Sequence, residues 1–88
     1  FEECDLRPRN FSGINFHYGV FSRANLEHCT FRECDLSQAI FAAANLKHAD
    51  LRDSRVDGAD LKHAKFFQTK IDLQIAAELA AQLGCIVA

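Results

Sequence analysis

The sequence predicts a solenoid of stacked five-residue units followed by one α-helix, and three observations carry that prediction. From Phe1 to Ile71 every fifth residue is a large apolar one: Phe1, Leu6, Phe11, Phe16, Phe21, Leu26, Phe31, Leu36, Phe41, Leu46, Leu51, Val56, Leu61, Phe66 and Ile71. A small residue stands two places before most of them: Cys4, Ala24, Cys29, Cys34, Ala39, Ala44, Ala49, Ser54, Ala59 and Ala64. After Ile71 the pattern stops and a run of good helix formers begins. Five matches neither the helical nor the strand period. A fixed repeat therefore sets the architecture, because each unit buries its inner side on its neighbours.

The segment 1–71 divides by regularity. Between Ala39 and Phe66 the Ala-(Asp/Asn)-Leu core recurs at 44–46, 49–51 and 59–61. The first third is looser. Arg9 and Ile14 occupy places where a small residue is expected, and Pro8 interrupts the run. An unpaired Arg9 cannot enter a dry core, so the coil is expected to open or loosen there. Gly13 and Gly19 are read as residues that accept unusual turn dihedrals. The chain begins at Phe1 inside the repeat, which reads as a fragment or a trimmed chain.

Residues 72–88 form the second part. Asp72 is an N-cap candidate, and Gly84 sits where a helix C-terminus favours a left-handed residue. Ile75, Leu79 and Leu83 make one apolar stripe, and Leu73, Ala76 and Ala80 another. Two stripes are wider than one packing face requires. An open solenoid end must be covered, so the helix serves as a cap, or as a cap and a contact with a second protomer. The apolar tail Cys85–Ala88, including Ile86, extends the same surface.

The tandem Ala-(Asp/Asn)-Leu units resemble the pentapeptide-repeat proteins over residues 1–71. The resemblance implies an all-β solenoid, a right-handed quadrilateral β-helix of pentapeptide repeats with four units per coil, about three and a half coils here. It also implies that the central apolar residue and the small residue two before it both point inward. A narrower resemblance covers the ending, in which Ile71, Asp72, Leu83, Gly84, Ile86 and Val87 match the C-termini of Qnr and MfpA-type members. In those members this helix joins two protomers, and the proteins bind DNA gyrase and topoisomerase IV by imitating the shape and charge of duplex DNA.

Charge and motifs bear on that implication. Lys plus Arg is 10 and Asp plus Glu is 12, a formal net charge of −2. Such a balance exerts no strong pull on nucleic acid or an anionic membrane. Residues 1–71 carry ten acids and ten bases, and the register never breaks to form a projecting loop. No apolar run reaches membrane-spanning length and no signal peptide is visible, so a soluble cytoplasmic protein is expected. No nucleophile–base pair or phosphate loop is present, and neither an enzyme nor a cofactor is expected.

Four smaller features remain. The cysteines read as small buried residues, apart from Cys85 in the tail, which oxidation could cross-link near a dimer contact. His28 and His48, twenty residues apart, stack on one outer edge; exposed surface residues are favoured over a metal pair. Arg32 and Arg52 are expected to neutralise Glu33 and Asp53. Tyr18, Val20 and Ile40 make an outward apolar patch, a candidate protein contact. Two functions follow: a dimeric topoisomerase-binding DNA mimic, or a general protein-interaction scaffold.

Overall fold

A computed structural model describes residues 1–88. Each residue preceding a central apolar one pairs in parallel with the residue twenty further on, from Asp5 with Asn25 to Asp50 with Lys70. The chain therefore returns above itself every twenty residues. The four pairing columns run through Asn25, Thr30, Asp35 and Ile40. Each pair is a single bridge, not a long strand, so the solenoid consists of short contacts joined by turns. The body measures 37 × 24 × 23 Å.

The five-residue period comes from a repeated turn. The carbonyl of most central residues accepts the amide three residues on, as in Ala24 N–H to Phe21 O at 3.0 Å and Cys29 N–H to Leu26 O at 3.0 Å. The third turn residue is left-handed, with φ between 50° and 65° at Glu3, Tyr18, Arg23, His28, Glu33, Gln38, Ala43, His48, Asp53 and Gln68. That is the dihedral signature of a type II turn. Gly13 and Gly58 adopt it without a side-chain penalty. The others each bear about 1–2 kcal/mol, offset by the bonds their amides make to the next coil, such as His28 N–H to Lys47 O at 3.1 Å.

The Asp or Asn that precedes many of the central residues also has a mechanical reason. Its side-chain oxygen accepts the amide two residues on, as at Asn10 to Ser12 (2.9 Å), Asn15 to His17 (2.8 Å) and Asn45 to Lys47 (3.0 Å). This local bond pre-forms the turn.

Inside, the central residues from Phe21 to Leu61 are buried, together with Ala24, Cys29, Cys34, Ala39, Ala44, Ala49, Ser54 and Ala59. Phe21 and Phe41 stack at 5.0 Å between centroids, and Phe11 and Phe31 at 5.1 Å. Phe16 meets Phe21 edge to face at 5.3 Å. Such offset and edge contacts suit the charge distribution of the rings. Where the small residue is polar, it bonds the carbonyl of the coil below: Ser54 Oγ to Phe31 O, and Thr69 Oγ1 to Leu46 O at 2.7 Å.

Two expectations about the first third change. No residue among 1–20 is buried, and both Phe1 and Cys4, expected to point inward, are exposed at the uncovered side of the first coil. The coil does open at Arg9, as expected: the turn bond from Arg9 N–H to Leu6 O is missing, Pro8 sits in a bend and Arg9 is exposed, although the Arg9 carbonyl still accepts Thr30 N–H at 2.8 Å. Gly19 serves space and not dihedral freedom. A Cβ there would lie 2.9 Å from Phe16 O and 3.0 Å from the Phe21 ring.

Helix α1 spans Leu73–Gln82. The Asp72 carboxylate accepts Ile75 N–H at 3.0 Å as N-cap. Gly84, at φ +83°, closes the other end, with Gly84 N–H on Ala81 O and Cys85 N–H on Ala80 O. That is the Schellman pattern. The helix lays Ile75 and Leu79 on the core. Its polar side chains finish the ladder: Asp72 Oδ2 accepts Asp53 N–H at 2.7 Å, and Gln82 Oε1 accepts Leu61 and Lys62 N–H at 2.9 and 3.1 Å. Gln82 Nε2 donates to Ala59 O. Leu83 accordingly leaves the inner stripe, because exposed edge amides require a polar partner where periodicity alone favours Leu.

Leu46→Ala is expected to cost about 2–5 kcal/mol through lost burial and a cavity, read as a lowered melting temperature. Gln82→Leu, which orphans edge amides and one carbonyl, is expected to cost about 1–3 kcal/mol. Leu83→Gln should stay within about 0.5 kcal/mol of the parent; a chemical-denaturation series on both checks the contrast.

Candidate interaction surfaces

The C-terminal helix leaves a broad apolar surface outward. Leu73 is 90% exposed, Leu83 61%, Ile86 92% and Val87 70%. Of the five residues expected to serve as cap or dimer contact, Ile75 and Leu79 pack on the coil, whereas Leu73, Leu83 and Ile86 face away from it. One helix thus presents two surfaces: an inner one spent on closing the coil, and an outer one without an intramolecular partner.

The second apolar feature lies on a side face. Val20 and Ile40 pair across adjacent coils, and both are exposed, as is Tyr18. At these positions the Asx turn bond is missing, so the turns that follow rely on their backbone bonds, Ala24 N–H to Phe21 O at 3.0 Å and Ala44 N–H to Phe41 O at 2.9 Å. The His17 ring lies against Tyr18 at 4.3 Å.

Charges on the faces are largely matched. Arg7 forks onto Asp5 at 2.9 and 2.8 Å, and Arg52 onto Asp50 at the same distances. Arg32 reaches Asp53 one coil on at 2.5 Å, and Arg23 reaches Glu3 at 3.5 Å. Glu33 has no such partner. Exposed pairs of this kind contribute little to stability, but they break any acidic field along a face. In two of the pairing columns an acid also pairs with a base, Asp50 with Lys70 and Asp35 with Arg55.

Cys29 and Cys34 are buried, and burial pushes both thiols up from their ordinary range. Their Sγ atoms donate to Leu6 O and Phe11 O at 3.2 and 2.9 Å. They act as core donors, not as nucleophiles. His28 and His48 stack with centroids 4.7 Å apart. Phe67 meets His48 from the next coil, edge on at 5.4 Å. Glu27 completes a group with the two histidines. The sequence did not single out Glu27, because no carboxylate shares the column of the two histidines; its adjacency to His28 was the available signal. A shallow hollow beside it is lined by Asp5, Arg7, Pro8, Glu27 and His28.

A stacked coil of five-residue turns with inward Leu or Phe and alternating small residues defines a repeat solenoid of one class. The profile described as "Pentapeptide repeat region" matches residues 1–74, and the chain belongs to the pentapeptide-repeat family. Among solved structures it is similar to a pentapeptide-repeat protein of the Arabidopsis thaliana thylakoid lumen. That likeness has 22% identity and a TM-score of 0.56, over 76% of this chain and 61% of that one. It is also similar to QnrB1, described as a plasmid-mediated fluoroquinolone resistance protein, at 26% identity and a TM-score of 0.42, over 91% of this chain and 42% of that one. A third likeness is HetL of Nostoc, involved in heterocyst differentiation regulation, at 29% identity and a TM-score of 0.45, over 69% and 31%. The chain thus spans less than two thirds of the length of each of these. No curated protein matches it.

Acid sensitivity follows from the turn and cap carboxylates. The Arg7 guanidinium holds Asp5 down to about 2. Ser37 lowers Asp35, Arg52 lowers Asp50, and the Ile75 and Asp53 amides lower Asp72. A carboxylate depressed in the folded state stabilises it above the unfolded value of about 3.9, and that contribution disappears as pH falls through the folded value. The melting temperature is therefore expected to drop between about pH 4 and 2. Asp72→Asn, which keeps a capping oxygen, should show a smaller drop in melts at the two pH values.

Proposed function

We propose that this chain is a non-enzymatic, protein-binding solenoid that pairs with a second copy through the outer surface of α1. The observation that carries this reading is the exposed apolar set Leu73, Leu83, Ile86 and Val87 at the capped end. Apolar surface of that extent favours association, and the inner face of the same helix is already occupied by the coil. A right-handed, four-sided coil of about three and a half turns belongs to the same reading, supported by the twenty-residue register. So does a cytoplasmic location.

DNA gyrase or topoisomerase IV is the partner this reading names, with the coil standing in for duplex DNA. Its support is the sequence resemblance at Ile71, Asp72, Leu83, Gly84, Ile86 and Val87. A second reading, an interaction scaffold with no topoisomerase role, is favoured by the matched charges on the faces. In that case contact falls on Tyr18, Val20 and Ile40.

Sedimentation of the parent and of Leu83→Arg tests the pairing. A dimer reduced at least about tenfold in affinity by Leu83→Arg is expected, with an unchanged melt for the monomer fold. A parent that stays monomeric at high concentration refutes the pairing. A gyrase supercoiling assay, with and without a quinolone, tests the named partner. Inhibition or protection that Leu83→Arg abolishes is expected; no effect leaves the scaffold reading, for which Ile40→Lys should abolish partner capture.

A further inference from the structure

The twenty-residue register brings one set of metal-ligating side chains together across two adjacent coils. His28 and His48 hold the same turn position, both with left-handed backbone, at φ 63° and 60°. Their rings are parallel within 4° and 4.7 Å apart. Backbone bonds from His28 N–H to Lys47 O and from His48 N–H to Phe67 O, 3.1 and 2.8 Å, anchor the two turns. The Phe67 ring, standing at 88° to His48, supports that imidazole from one side.

Glu27 supplies a third donor. One ligand atom from each of Glu27, His28 and His48 lies within 4.8 Å of the others. The Glu27 carboxylate makes one ion pair, with Arg7, and at 3.7 Å it is loose. Arg7 is itself engaged by Asp5 through two shorter bonds of 2.9 and 2.8 Å. The Glu27 carboxylate is therefore free to turn, and the hollow lined by Asp5, Pro8 and His28 leaves room in front of it.

We infer that Glu27, His28 and His48 form a surface site for a borderline divalent transition metal, of which Zn²⁺ is the representative. Two imidazole nitrogens and a carboxylate oxygen are zinc donors at about 2.0–2.2 Å, with water completing a tetrahedral shell. Donors on one such ion stand roughly 3.3–3.5 Å apart, so from separations within 4.8 Å the three atoms need close by at most about 1.5 Å. Side-chain rotation supplies that at exposed His28 and half-buried Glu27 without moving the backbone. Two imidazoles select against Mg²⁺ and Ca²⁺, which require oxygen shells. Because His28 and His48 lie on successive coils, the bound ion clamps one coil to the next and raises the stability of the solenoid by mass action.

The test is a Zn²⁺ titration of the full chain carrying Cys4→Ser and Cys85→Ser, since both exposed thiols are zinc ligands in their own right. Calorimetry gives stoichiometry and affinity, and histidine ring resonances give the ligands. One ion per chain is expected, with a dissociation constant in the micromolar range. His28→Gln and His48→Gln should each weaken binding at least about tenfold, and Glu27→Gln several-fold. His17→Gln and His63→Gln should leave it unchanged. Glutamine is a safe replacement because Gln38 and Gln68 already hold this turn position, at φ 61° and 50°. Melts without metal should match the parent, and added Zn²⁺ should raise the melting temperature of the parent and of the His17→Gln and His63→Gln variants, but not that of His28→Gln or His48→Gln. No binding at about 1 mM Zn²⁺, or an affinity indifferent to both His28→Gln and His48→Gln, overturns the inference.

Discussion

The structure depends on one constraint: each coil must satisfy the backbone of the coil beneath it. A five-residue unit ending in a tight turn has few local bonds, so most of its amides point along the solenoid axis. They find carbonyls about nineteen or twenty residues on, as Leu26 N–H finds Asn45 O at 2.9 Å. Because unmet buried amides are costly, this ladder holds the coil in register and justifies a left-handed residue in nearly every turn. The apolar core then fills whatever width the ladder allows, which is why Gly19 must remain glycine-sized beside Phe16 and Phe21.

The same constraint explains the ends. At the start of the chain the ladder is open, and none of the first twenty residues is buried. At the other end α1 substitutes for a further coil. It does so with side chains, not with its own backbone, whose bonds are already used within the helix. Asp72, Glu78 and Gln82 reach the amides of Asp53, Gly58, Leu61 and Lys62. The apolar cap of Ile75 and Leu79 is thus only half of the closure. The outer half of the helix, with Leu73 and Leu83, stays exposed and takes no part in that closure.

Core and surface obey different rules here, and this shaped how readable each was. The inner column positions repeat because one turn geometry and one coil width recur, so a single pattern exposed them all. Outer positions face solvent and are limited only by the turn. Glu27 and His28 are neighbours in sequence, yet their closeness to His48 depends on how side chains leave the corner of the coil. Likewise, matched pairs such as Arg32 with Asp53 join different columns of adjacent coils.

The sequence alone determined the repeat unit, its central and small residues, the end of the repeat at Ile71 and the helix with its Asp72 and Gly84 caps. These are local or strictly periodic features, governed by turn chemistry, helix capping and the volume of one side chain. Tertiary structure decided the twenty-residue register, the exposure of Cys4 and Phe1, and the exchange of Leu83 for Gln82 on the inner face of α1. It also decided the meeting of Glu27 with two histidines. Each of these depends on which backbone or side-chain partner lies one coil away, and periodicity within a single coil does not contain that information.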